Sequence, residues 1–126
     1  MTVRLALIGA GRIAKVHAGA IAGNPDAELV AVADALPAAA AVLAKAYGAK
    51  ASTVAEIAAD PEVDAVLVCT PTDTHADLIE TFARAGKHVF CEKPVDLDTA
   101  RAEEVIAIAE KAGVKLMLGF NRREMR

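Results

Sequence analysis

Tryptophan is missing from this chain, and four aromatic residues, Tyr47, Phe82, Phe90 and Phe120, are spread over its 126 positions. A core of stacked rings is therefore excluded, and the 55% of the sequence that is hydrophobic must pack mostly through aliphatic side chains. An excess of one charge is lacking too. Fourteen bases stand against 17 acids, interspersed to a net −3, which leaves no basic footprint for nucleic acid and no acidic disordered arm. No apolar run reaches the roughly 18 residues of a membrane span, and the start "MTVRLALIGAG" has no separate hydrophobic region or cleavage site. A soluble, cytoplasmic chain with neither nucleic acid nor membrane as partner is expected. Cysteine is scarce: Cys69 and Cys91 each close an apolar run, which predicts reduced thiols that are neighbours in a sheet. Without a CxxC pair or clustered histidines, no metal site is expected.

What is abundant is alanine, at 30 positions, and small high-propensity residues favour closely packed helices. The length suits one domain, residues 1–126, with no linker, low-complexity tract or short repeat. Apolar runs at Val3–Ile8, Leu29–Ala33, Val63–Cys69, His88–Cys91 and Lys115–Phe120, with a very short one at Ala49–Ala51, predict six strands. Helical segments fall between them. One runs from Arg12 to about Gly23; a second opens at Pro37 and stops at Gly48. A third opens on the Thr53-x-x-Glu56 capping box and ends near Asp60-Pro61. A fourth, capped by Thr74 with Asp77, carries the stripe Leu78, Ile79, Phe82, Ala83 and ends at Gly86; a fifth runs from the Asp98 cap to Gly113. Six alternations of strand and helix imply parallel strands joined by right-handed crossovers. The fold class is α/β, a doubly wound parallel sheet of strand order 3-2-1-4-5-6, a Rossmann fold.

The first strand runs straight into "GAGRIA", Gly9–Ala14, which fits G-x-G-x-x-G/A with alanine at the third position. In that context Gly9 permits a tight turn, Gly11 lets the backbone approach a pyrophosphate on the helix N-terminus, and Ala14 lets the helix pack against the sheet. Asp34 ends the second strand 25 residues after Gly9, where a carboxylate accepts the adenosine ribose hydroxyls and repels a 2′-phosphate. The cofactor is therefore expected to be NAD rather than NADP; Arg12 neutralises pyrophosphate. Ligands in such sheets lie beyond the carboxyl ends of the strands, near the switch between the first and fourth. Thr70, Pro71, Thr72, His75, Glu92, Lys93, Pro94, Asn121 and Arg122 all fall at strand ends and converge there. His75 either orients cofactor or caps its helix, whereas His17 and His88 serve packing or a solvated edge. Pro94 holds Lys93 in extended backbone, which aims its side chain.

Four motifs in order, "GAGRIAKVHA", "CTPTDTHADL", "GKHVFCEKPVDLD" and "LGFNRR", resemble the N-terminal domain of the Gfo/Idh/MocA oxidoreductases, most closely the inositol 2-dehydrogenases. The resemblance implies hydride transfer between NAD(H) and a cyclic polyol or sugar hydroxyl. It places Gly9, Gly11, Arg12, Ile13, Asp34, Thr70, Thr72, His75, Glu92 and Arg122 along NAD. Lys93 corresponds to the lysine of the family's Glu-Lys-Pro motif, which hydrogen-bonds the reacting hydroxyl and assists its deprotonation. Burial and the nearby nicotinamide would lower its pKa towards that task. Family members continue into a second, substrate-binding domain, so this chain is expected to bind NAD without efficient turnover and to self-associate through exposed apolar surface. The alternatives are a dehydrogenase completed by another chain and a non-catalytic nucleotide-sensing or assembly module.

Overall fold

In the computed structural model, which describes residues 2–92 and 95–119, six strands form one parallel sheet. They are β1 (Val3–Ile8), β2 (Ala27–Ala33), β3 (Lys50–Ala51), β4 (Ala65–Val68), β5 (His88–Glu92) and β6 (Leu116–Gly119), in the order β3-β2-β1-β4-β5-β6. The helices are α1 (Arg12–Ala22), α2 (Pro37–Ala46), α3 (Val54–Ala59), α4 (His75–Arg84) and α5 (Thr99–Ala112), with a single 3-10 turn at Thr72–Thr74. Fold class and strand order are those expected from the alternation.

The sheet is buried from both sides, as parallel sheets must be. Leu7 and Val32 point to one face and pack with Ala14, Ala18 and Ile21 of α1 and Leu43 of α2. Ile8, Val66, Val68, Val89 and Cys91 point to the other, against Ile57 of α3, Ile79 and Phe82 of α4 and Val105 of α5. Phe82, fully buried, is the largest side chain of this core. The alanines do what their size suggests: Ala14 and Ala18 are fully buried, so α1 lies close on the strands.

Several boundaries differ from the sequence expectation. β2 begins at Ala27, because Val3 pairs with it across the sheet. The pairing then slips: Leu5 faces Leu29 but Ala6 faces Ala31, so Val30 is an extra residue. Leu29 belongs to the α1 side, while both Val30 and Ala31 pack on the α4 side. β4 starts later than expected, since the Val63 N–H turns back onto the Asp60 carbonyl at 3.2 Å. The α3 capping box forms in full, Thr53 and Glu56 exchanging bonds of 2.9 and 3.1 Å. Asp98 caps α5 through the Ala100 N–H at 3.0 Å. Thr74 does not cap α4 with its side chain. Its hydroxyl bonds the Pro71 carbonyl at 2.6 Å and the Thr70 hydroxyl at 2.5 Å, winding Thr72–Thr74 into the 3-10 turn.

Candidate dinucleotide site

The switch in strand order lies between β1 and β4, and there two loops meet. Gly9 leaves β1 with φ +108°, a left-handed backbone, and its N–H bonds the Ala33 carbonyl at 2.6 Å. A Cβ on Gly9 would stand 2.8 Å from the Cys69 carbonyl oxygen and 3.2 Å from Thr70 Cγ2. Gly9 is therefore demanded by the protein itself: any side chain would push β1 off the loop after β4. Gly11 is different. It has ordinary extended backbone, and a Cβ there meets nothing within 4 Å. No contact within the described fold requires glycine at 11, which is the pattern of a residue kept small for a ligand.

Gly11 is also the N-cap of α1, and no side chain accepts from the N–H groups of its first turn. The ladder starts with the Lys15 N–H to the Gly11 carbonyl, at 3.1 Å, so the preceding amides have no intrahelical acceptor. The first turn holds no acid, and Arg12 is exposed and Ile13 half-buried beside it. Eleven residues of helix thus present amides, a positive dipole end and a guanidinium to the same side, the chemistry of a phosphate cradle.

Asp34 connects this cradle to β2. Its Oδ1 accepts the Ala10 N–H at 2.8 Å and its Oδ2 accepts the Leu36 N–H at 2.9 Å. An ionised carboxylate has about four acceptor sites, so each oxygen retains one for a ribose hydroxyl. Next to Asp34 opens a cavity of about 440 Å³, with Ile8, Ala33, Val54 and Leu78 among its apolar lining and Thr70 and Thr74 on its rim. Cradle, carboxylate and cavity all lie at the carboxyl ends of the strands. The residues present fit an NAD-type dinucleotide.

His75 is buried, and its Nε2–H donates to the Thr70 carbonyl at 2.8 Å. Since a carbonyl only accepts, Nε2 carries the proton in this arrangement. The histidine thus braces the loop after β4, a contact named by neither of the two roles open to it in the sequence. Pro71 is exposed and Thr72 half-buried in that loop. Glu92 closes β5, opposite Gly119 of β6, further along the same sheet edge. Lys93, Pro94 and Arg122, with Asn121, lie outside the described residues. His17 meets Phe90 edge-on, with ring centroids 5.8 Å apart, and His88 Nδ1 accepts the Lys115 N–H at 2.9 Å.

Cys91 lies in β5 opposite Val68, while Cys69 follows β4 directly and packs on the other face of the sheet, so the two are near one another without being paired in adjacent strands. Burial, with the Glu92 charge behind it, pushes the Cys69 thiol up to about 12. Burial likewise pushes Cys91 up to about 12, helped by Cys69 and Glu92. Neither is a nucleophile near neutral pH. Among the described residues no group of three or more His, Cys, Asp or Glu side chains is disposed to hold a metal ion, and no helix is long and apolar enough to cross a membrane.

Sequence reasoning did not foresee the far wall of the cavity, where Thr53, Val54, Asp73, Asp77 and Leu78 lie. Thr53 had a sufficient explanation as a cap and Leu78 as part of a core stripe. The available signal was position, since each begins the element after β3 or β4.

The geometry agrees with what known proteins show. The family described as "Oxidoreductase family, NAD-binding Rossmann fold" (Gfo/Idh/MocA) matches residues 3–120. An inositol 2-dehydrogenase of Rhizobium meliloti (strain 1021) is 61% identical over 123 residues, which are 98% of this chain and 37% of that protein. A solved structure from Sinorhizobium meliloti 1021 superposes with a TM-score of 0.92 at 61% identity, over 97% of this chain and 37% of that one. A protein of gentamicin A biosynthesis, solved in complex with NAD, gives a TM-score of 0.90 at 34% identity, over 94% of this chain and 34% of that one. The chain spans 37% of the length of the inositol 2-dehydrogenase it matches. With its glycine turn, strand-end carboxylate and strand order in place, the chain belongs to the Gfo/Idh/MocA oxidoreductase family and is closely related to the inositol 2-dehydrogenases, in the part that forms their NAD-binding Rossmann fold.

Proposed function

We propose that this chain holds NAD(H) for hydride transfer to and from a secondary hydroxyl of a cyclic polyol or sugar of the inositol class, with Lys93 as the acid/base at that hydroxyl. The observation that carries the reading is the 2.8 Å bond from the Ala10 N–H to Asp34, which fixes a carboxylate beside the glycine turn. In that position Asp34 accepts the ribose hydroxyls and confronts a 2′-phosphate with like charge. The amides at the start of α1, Gly11 and Arg12 hold the pyrophosphate, and Ile13, Thr70 and Thr72 line its path. Bound there, the nicotinamide accepts or returns a hydride. The polyol assignment is supported by the name of the Rhizobium meliloti relative. Support for Lys93 comes from its place directly after β5, at the sheet edge that carries Glu92.

Titration calorimetry of the chain with NAD and NADP tests the cofactor assignment. NAD is expected to bind more tightly by roughly tenfold or more, the size of one charge-assisted hydrogen bond with the repulsion added. Asp34→Ala should narrow that ratio. Absence of NAD binding, or preference for NADP, would sink the assignment.

A further inference from the structure

The cavity beside Asp34 has two unlike walls. Its floor is aliphatic, from Ile8, Ala33, Val54 and Leu78, and suits the flat face of a ring. The wall opposite Asp34 is the 3-10 turn and the first turn of α4, where Asp73 and Asp77 line it and, among the described residues, neither Lys nor Arg does. An ionised carboxylate only accepts hydrogen bonds. Of the polar atoms on the edge of adenine away from the sugar, the exocyclic N6 amine donates, while the ring nitrogens accept. A 6-oxopurine presents an acceptor where adenine presents that amine.

Asp77, largely exposed, is anchored on one side. Arg101, reaching across from α5, donates from Nη2 to Asp77 Oδ1 at 2.6 Å, and Oδ2 has no partner among the described residues. Arg101 also pairs with Glu80 at 2.9 Å and Glu104 at 2.7 Å, so its charge is divided among three carboxylates and Asp77 keeps its acceptor character. Asp73 carries no such anchor. Building on the NAD reading above, we propose that Asp77 reads the purine base, accepting a hydrogen bond from the N6 amine and selecting adenine over 6-oxopurine dinucleotides.

Calorimetry of the full chain with NAD and with nicotinamide hypoxanthine dinucleotide isolates the base, because the two ligands share both riboses, the pyrophosphate and the nicotinamide. The hypoxanthine form should bind roughly tenfold more weakly, one charge-assisted hydrogen bond's worth. Asp77→Ala should bring the two within about twofold of each other, since the reading contact is gone. Asp77→Asn keeps an oxygen for Arg101, preserves the α4 to α5 clasp and offers an amide N–H to the 6-oxo group, so it should favour hypoxanthine. Asp34→Ala should weaken both ligands alike and leave their ratio intact. Equal affinities in the unsubstituted chain, or an undiminished adenine preference in both Asp77 variants, overturns the proposal while NAD binding stands. Loss of NAD binding in the unsubstituted chain overturns both readings together.

Discussion

The two glycines of the phosphate turn separate the demands of folding from those of binding. Gly9→Ala places a methyl on a left-handed backbone and against the Cys69 carbonyl; the backbone alone costs about 1–3 kcal/mol, so the variant should melt well below the parent. Gly11→Ala meets nothing and has ordinary backbone. It should melt with the parent yet bind NAD roughly tenfold or more weakly, a contrast that thermal denaturation and calorimetry read directly. Lys93→Ala tests the other end of the site. In a preparation that oxidises myo-inositol, NADH absorbance should grow about 10²–10⁴-fold more slowly, the usual contribution of a positioned acid/base; unchanged turnover would reject the role of Lys93. The tight turn at Gly9 and the placing of Asp34 beside it were legible in the sequence, because each is local to one turn or one strand end. The contact from His75 to Thr70 was not legible there, since its acceptor is a backbone carbonyl, which no sequence pattern marks.

At the scale of elements, helices closed by their own side chains read correctly: the Thr53–Glu56 box and the Asp98 cap sit where the spacing puts them. α4 misled, because Thr74 has a nearer acceptor in the Pro71 carbonyl and gives its hydroxyl to the 3-10 turn. Asp77, expected in the cap, is drawn to Arg101 of α5 instead. Lys87 shows what local pattern misses altogether. Buried at the start of β5, its ammonium donates to the carbonyls of Asp60 and, at 2.8 Å, Val63. It thus ties the turn before β4 to the turn before β5, through acceptors 27 and 24 residues away. Lys87→Met fills the same space without a donor. Each hydrogen bond to a charged group is worth about 1.5–3 kcal/mol, so chemical denaturation should show a loss of at least that size. A stability equal to the parent's would mean that the two carbonyls find other donors.

For the molecule as a whole, alternation of strand and helix was enough to read the sheet order, because parallel strands with right-handed crossovers leave few other arrangements. It also put Cys69 and Cys91 at the ends of neighbouring apolar runs, where both are covered, with a consequence for alkaline stability. Folding raises both thiols from 9.0 to about 12, chiefly by burial. The folded chain therefore keeps protons that the unfolded chain gives up above about 9, and their contribution is whole below that pH and drains away between 9 and 12. The melting temperature should fall from about pH 8 to about pH 10.5, and a Cys69→Ala, Cys91→Ala double variant should fall less over the same interval. Equal slopes would show that the two thiols carry none of the effect. The extra residue in β2 has a reach beyond its own strand. Since side chains alternate across a sheet, one uncounted position resets parity: Leu29 and Val32 share a face although three residues apart. Val30 thus works as a phase adjuster between the start of β2 and Asp34. The slip lets the start of β2 and the stretch that leads to Asp34 keep separate in–out phases against one straight β1.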